Sequence, residues 1–180
     1  MPTIQNIIDH TLSQVQNPQL QNTVDTVKIG DPTVEVTGVV SCFTVTMDVI
    51  QLAIDKKANL IVTHEPTFYA HLDNITDTVA KSKVYHDKRQ ALEDAKITVW
   101  RLHDNWHHIS PDGIVTGMIQ KLGWQSSMRH ELKSLRENPV IFDLPKMKLG
   151  KLIDQLRDQF DLQYMRYMGD PDLQVSSVGL

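Results

Sequence analysis

Two short apolar runs, each closing in a histidine, constrain this chain more than any other feature. Asn59-Leu60-Ile61-Val62-Thr63 leads into His64-Glu65-Pro66, and Ile97-Thr98-Val99-Trp100-Arg101-Leu102 leads into His103. Runs of this length and β-branched content read as buried strands. A polar loop through Asn74 and a helical pattern from about Thr78 to Ala95 lie between them, the kind of crossover that parallel neighbours require. The alternation starts earlier. After a turn at Gly30-Asp31-Pro32, Val34-Glu35-Val36-Thr37-Gly38-Val39-Val40 reads as the first core strand. Thr46 then caps a helix that carries Val49, Ile50, Leu52 and Ala53 and ends near Lys56-Lys57. Strand, helix, strand, helix, strand predicts an α/β fold with a mixed, mostly parallel sheet flanked by helices. Ligands of such folds sit outside the carboxyl ends of the strands, where both histidines fall.

The remaining elements follow from the same signals. Ile4, Ile7, Ile8 and Leu12 recur at helical spacing from about Thr3 to about Val15, with Thr3 as N-cap. Ser110-Pro111-Asp112 reads as a helix start, with Ser as N-cap and Pro at the first helical position, and Gly123 as the stop. Pro139 to Leu144 reads as a strand, Leu149 to about Phe160 as a helix, and Leu173 to Leu180 alternates like a strand. With 180 residues, 41% of them hydrophobic, a sizeable core is affordable. The predicted organisation is a metal-binding α/β domain over 1–125 and the start of a second α/β segment over 126–180, which reads as truncated.

Of the eight histidines, five fall in two groups: His64 with His71, and His103 with His107 and His108. Imidazole nitrogens and carboxylate oxygens are the ligand set for zinc, iron, manganese or nickel. Two ligand groups at the ends of adjacent strands converge without sharing a helix. A divalent metal site built from His64, Glu65, His103 and His107, holding one or two ions, is the resulting expectation, with Glu65 as ligand or catalytic base. His64 and Glu65 are adjacent, so a turn, which Pro66 encourages, is needed to aim both at one place or at neighbouring metals. Asp104 and Asn105 are placed to orient an imidazole through its second nitrogen, leaving His103 as ligand or as support. The zincin pattern H-E-x-x-H does not apply, because His71 is too far from His64 and Pro66 interrupts. His10, His86 and His130 read as solvated or hydrogen-bonded side chains, and Trp106 as the tryptophan best placed to touch a substrate.

Cys42 is the only cysteine, which excludes an intrachain disulfide and a thiolate zinc cluster and fits a reducing, cytoplasmic setting. It reads as a buried structural residue rather than a nucleophile. The 18 Lys and Arg against 22 Asp and Glu give a net charge of -4, with no basic run dense enough for nucleic acid. Polar residues break every apolar run of the N-terminal segment, so neither a signal peptide nor a membrane span is read there.

These segments resemble the NGG-interacting factor three family, a dinuclear metal centre family whose bacterial members are often labelled GTP cyclohydrolase I type 2 homologues. The likeness runs along nearly the whole chain. It rests on Gly30-Asp31-Pro32 before a strand, and on Ala58-Asn59-Leu60-Ile61-Val62-Thr63-His64-Glu65-Pro66, where the family has an aliphatic run closing in His-His-Pro. It rests also on His103 to His107, where the family has His-x-x-x-Asp, and on the helix from Asp112-Gly113 to Leu122-Gly123. The resemblance implies a Nif-three-like fold and puts His64, Glu65 and His107 in metal-binding places. Glu65 stands where the family has a histidine, and His107 where it has an aspartate, which keeps one carboxylate and two imidazoles. The family supplies a further histidine and glutamate beyond a glycine-rich stretch, with no counterpart in these 180 residues. The resemblance further implies a homo-oligomer, a toroidal hexamer, in which a neighbouring subunit can contribute ligands. The implied function is a metal-dependent hydrolase of a nucleotide-like or other small-molecule substrate, GTP cyclohydrolase I type 2-like. The alternative is a non-catalytic metal-binding or interaction protein forming a ring assembly. No Gly-rich phosphate loop or basic clamp specifies the substrate.

Overall fold

A computed structural model describes residues 1–15, 20, 22–130 and 140–180. The chain divides into two compact units, Met1–Ile109 and Ser110–Leu180.

In the first unit, helix α1 (Ile4–Gln14) opens on a capping box. Thr3 Oγ1 accepts from Asn6 N at 3.2 Å and Asn6 Oδ1 accepts from Thr3 N at 3.0 Å, which satisfies two main-chain donors left open at the helix start. Strands β1 (Val27–Ile29), β2 (Val39–Cys42), β3 (Leu60–Thr63) and β4 (Thr98–Arg101) form one sheet in the order β1-β4-β3-β2. β2, β3 and β4 are parallel, and β1 joins β4 antiparallel at the edge. This is the mixed, mostly parallel sheet that the alternation predicts. Helices α2 (Met47–Asp55), α3 (Asp77–Ala80) and α4 (Lys83–Asp94) make the crossovers.

Consecutive residues of the central strands serve two cores. Ile61 and Val99 pack with Ile50 and Ala53 of α2 and with Tyr85 and Leu92 of α4. Leu60 and Trp100 pack with Ile4 and Ile8 of α1. The alternation of side chains along a strand puts these clusters on opposite sides of the sheet. Burying such side chains contributes about 2 kcal/mol each, enough to fix which residues of β3 and β4 face which helix.

Three local expectations are corrected. Val34 to Gly38 is not part of the core strand: Val34 O accepts from Ile4 N and Val36 N donates to Pro2 O, at 2.9 and 3.0 Å, so these groups are spent on the N-terminal segment. Pairing with β3 begins only at Val39. Val27–Ile29, where the sequence signals predict no element, forms one edge of the sheet; three residues are too short for a periodicity to show. The helix over 78–95 is two helices, because Ser82 is extended and caps α4 by accepting from Tyr85 N, while Thr76 caps α3.

In the second unit, α6 (Gly113–Leu122) follows α5 (Asp104–His108) of the first. It is capped by Asp112, not Ser110: Asp112 Oδ1 accepts from Ile114 N and Val115 N at 2.8 and 3.0 Å. Ser110 and Pro111, joined by a cis peptide, precede it. The helix stops at Gly123 in the left-handed conformation, φ 69°, as the sequence predicts. Ile119 of α6 packs with Val140 and Phe142 in the core of this unit. β5 (Ile141–Lys148) and β6 (Gln174–Gly179) pair antiparallel, and α7 (Leu149–Gln159) lies between them in sequence. β5 runs past Leu144 through Pro145, with a register shift between Asp143 and Met147, the kind of irregularity at which a proline is tolerated. Pro139, the predicted start of this strand, lies outside the described residues. Among the described residues, no helix is long and apolar enough to cross a membrane.

The turn after β1 is built around Gly30, whose φ of +94° is a region side chains avoid, and a Cβ there would lie 2.5 Å from Thr98 Cα. Thr98 Oγ1 also accepts from Asp31 N and donates to Asp31 O, both at 3.1 Å. Gly30→Ala is therefore expected to lower the unfolding free energy by about 2 kcal/mol or more. Urea denaturation measures it, and an unchanged midpoint would show that the turn is free to adjust.

Candidate metal centre

The centre is produced by strand register. β3 and β4 are adjacent and parallel with Thr63 opposite Arg101, so the segments after them leave the sheet at the same edge. Leu102 N donates to Thr63 O at 2.9 Å, and His64 N and Glu65 N continue the pairing to Cys42 O and Phe43 O at 3.2 and 2.8 Å. His64 is thereby delivered from β3, and His103 and His107 from the end of β4 and the single turn α5.

The three imidazoles form a close group. Ring centroids are 4.5 Å apart for His64 and His103, 5.0 Å for His64 and His107, and 4.8 Å for His103 and His107. Each can present a nitrogen such that the three lie within 4.8 Å of one another. Among the described residues, these three form the group of potential ligands at this separation. Glu65 is not in it, although it is only partly buried and follows His64 directly. The chain bends at His64 and Glu65, directly after β3, and brings the His64 ring rather than the Glu65 carboxylate into the group.

The group has the supporting contacts that metal-binding imidazoles need. His64 Nδ1 lies 3.3 Å from Leu102 O, and His103 Nδ1 lies 3.1 Å from Asp104 Oδ1. With Nδ1–H donated in each case, Nε2 is left to face a cation. Burial, and then the nearby His103 and His107, hold the His64 imidazole below the usual histidine range, which favours the neutral form that binds a metal. Phe43 stacks on the other side of His64, with centroids 5.1 Å apart and rings inclined by 24°. His108, by contrast, turns its Nδ1 onto Asp104 O of its own helix turn. The donor set therefore fits a divalent cation of borderline softness, for which three imidazoles are ordinary ligands.

α5 is too short to hold itself, and its stability comes from a segment some 80 residues earlier in the chain. Asp25, 7% exposed, accepts from His103 N and Asp104 N through Oδ1 at 2.7 and 2.8 Å, and from Asn105 N and Nδ2 through Oδ2 at 2.8 Å each. Asp104 reciprocates by accepting from Val24 N at 3.0 Å and Thr23 Oγ1 at 2.9 Å. Burial works against ionising Asp104, but the hydrogen bonds from Val24, His103 and Thr23 win and pull its carboxyl down to about 2. Asp104 orients His103, the role predicted for it; Asn105 serves Asp25 instead.

The loop after His64 is held from below. Arg101, fully buried, donates to His64 O at 3.0 Å and to His71 O. Asp73 lies 3.6 Å from Lys28 and 3.8 Å from Arg101 and balances part of their charge, while Lys88 donates to Thr67 O at 2.6 Å. Cys42 is half-buried, and burial pushes its thiol up, which suits a structural residue. Trp100 is in the core at 1% exposed and Trp124 packs on Phe142, while Trp106 is exposed on α5. Neither Asp25 nor Asp73 carries a local signal, since their partners are distant in sequence. Arg101 does: a charge inside an apolar strand must find buried partners.

An α/β unit with a group of three histidines able to hold a metal ion at the carboxyl edge of its parallel strands is the class of protein that this geometry defines. The chain belongs to the Duf34/NIF3 (NGG1p interacting factor 3) family, whose model matches residues 2–180. The resemblance carried by the two histidine motifs is thereby borne out. A GTP cyclohydrolase 1 type 2 homolog of Clostridium acetobutylicum is 30% identical over 155 residues, covering 83% of this chain and 56% of that protein. One from Mycoplasmopsis pulmonis is 37% identical over 76 residues, 40% of this chain and 28% of that protein. The chain thus spans about half the length, or less, of the curated relatives it matches. A Bacillus cereus protein related to NIF3 has the same fold, with a TM-score of 0.72 at 15% identity, over 99% of this chain and 76% of that one. A hypothetical protein of Staphylococcus aureus superposes with a TM-score of 0.67 at 17% identity, over 98% and 70%.

Removing the carboxylate that caps α5 is expected to disturb the centre without touching a ligand. Asp25→Ala leaves the main-chain donors of His103, Asp104 and Asn105 unmatched, at a cost of about 3 kcal/mol. Zinc affinity by competition titration is expected to fall along with the denaturation midpoint. Wild-type zinc affinity in a destabilised variant would show that the turn keeps its place without Asp25.

Proposed function

We propose that this chain carries the metal-binding part of a metal-dependent hydrolase that acts on a small, nucleotide-like substrate. The observation that carries this reading is the group of three imidazoles, two of them oriented through Nδ1, at the carboxyl edge of the sheet. His64, His103 and His107 are the residues that would hold the cation. A divalent ion in that place supplies a Lewis acid that polarises a substrate bond and makes water more acidic. Three protein donors leave room for a further ligand, as catalytic rather than closed structural sites do. Glu65 is assigned the proton-accepting role, because it adjoins His64 and is only partly buried. Phe43 and Trp106, both exposed beside the histidines, offer flat apolar surface to a planar ring.

The names of the curated relatives, GTP cyclohydrolase 1 type 2 homologs, support a purine nucleotide as the substrate to try first. A ring-shaped homo-oligomer, hexameric by family resemblance, and a cytoplasmic setting belong to the same proposal. So does a second ion, for which a neighbouring subunit or further residues would supply ligands. One observation favours a second reading: Glu65 lies outside the close ligand group. A non-catalytic metal-binding or interaction protein needs no such base.

Metal analysis of the purified protein, followed by turnover of GTP and simple phosphoesters, separates the two. Bound zinc, iron, manganese or nickel is expected, lost in His64→Ala and His107→Ala, with hydrolysis abolished in both and reduced about a hundredfold or more in Glu65→Gln. Metal-loaded protein that is inert towards these substrates would favour the non-catalytic reading. Metal content unaffected by either histidine substitution would overturn both.

A further inference from the structure

The centre has three imidazoles in a close group, and the loop that follows His64 brings a fourth beside them. Among the described residues, the rings in contact with the three histidines from outside the group are Phe43 and His71, and only His71 carries a ligand atom. Its ring meets that of His103 edge-on, with centroids 5.9 Å apart and an interplanar angle of 81°. His71 is exposed, whereas His64 is buried and His103 and His107 are partly so. The position of its backbone is nonetheless fixed, because its carbonyl accepts from the fully buried Arg101.

The loop is built to make that return. Pro66 prevents a helix, so His71 cannot reach the face of His64 through a helical repeat. Instead Asp73 Oδ1 accepts from Phe68 N at 2.7 Å. Ala70 N donates to Phe68 O at 3.0 Å and Asp73 N to Ala70 O at 2.7 Å. Tyr69 and Asp73 both adopt left-handed backbone conformations, with φ of 74° and 54°. Non-glycine residues in that region cost energy and persist where surrounding contacts enforce them, often at ligand clamps. Here the enforcing contacts are those of Arg101 and of Lys88 with Thr67 O. Rotation of the His71 side chain is the motion that would bring its imidazole to the group, and an exposed side chain changes rotamer readily.

We propose that His71 is the fourth imidazole donor of the centre, closing over a metal held by His64, His103 and His107. This rests on the reading of the three histidines as a metal site: with His71 bound the fourth tetrahedral position is filled, and rotation of the exposed His71 side chain away from the ion opens it to water or substrate. It also gives the strained loop a purpose that packing does not require.

The test uses the full chain stripped of metal. Copper(II) is added for pulsed electron paramagnetic resonance, which counts coordinated imidazoles, and zinc affinity is measured by competition. Wild type is expected to show four imidazole couplings. His71→Ala, at an exposed position, is expected to keep the wild-type melting temperature, to show three couplings, and to bind zinc about tenfold or more weakly. Free imidazole added to His71→Ala is expected to restore the fourth coupling. An unchanged coupling count in His71→Ala overturns the assignment, whatever happens to affinity or melting. Wild-type protein that binds neither copper nor zinc overturns the underlying metal reading instead, so the two failures are distinct.

Discussion

The parallel pairing of β3 with β4 is the constraint on which the rest of the first unit depends. Because Thr63 stands opposite Arg101, the two strands end level, and the chain leaves both at one edge. A shift of one residue would exchange the two faces of a strand. Leu60 and Trp100 would then be taken from α1, and Ile61 and Val99 from α2 and α4. The apolar cores therefore lock the register, and the register places His64 beside His103. Hydrophobic burial far from the centre is what gives the centre its geometry.

Two buried polar systems convert that placement into defined side-chain positions. On one side Asp25 and Asp104 exchange hydrogen bonds between the segment before β1 and the turn α5. On the other, Arg101 reaches out of β4 to hold the backbone carbonyls of His64 and His71. Buried charged groups stabilise only when their partners are all present. Each system is thus sensitive to the loss of one member, and each acts on a histidine through its main chain or its Nδ1. His64 and His103 are thus held through Nδ1, which leaves Nε2 of each as the nitrogen available to the group.

Much of this was legible from residue patterns. The helices that begin at Thr3 and Thr46 carry their own caps, and the strands of β3 and β4 are apolar enough to declare themselves. Convergence of the two histidine groups follows from their places at strand ends. The errors have a common cause. Val34 to Gly38 has strand composition, but Val34 O and Val36 N bond to the N-terminal segment and Glu35 O and Thr37 N to the Asn59 side chain, and composition does not reveal which partner a backbone group will find. The helical pattern over 78–95 continues across Ser82, where a hydroxyl competes for the main chain and restarts the helix. Val27–Ile29 is a strand because β4 offers it an edge, not because its own sequence requires one.

Periodicity and local hydrogen-bonding chemistry, which act within a few residues, are what the sequence by itself determined: an α/β unit, its helix starts, and a histidine-rich edge. Tertiary structure alone decided which donors form the close group. His64, His103 and His107 meet there while Glu65, adjacent to His64, stays outside it. Tertiary structure also supplied Asp25, the partners of Arg101 and the return of His71. Contacts between residues seven to eighty positions apart depend on how the whole sheet closes, and no local pattern encodes that.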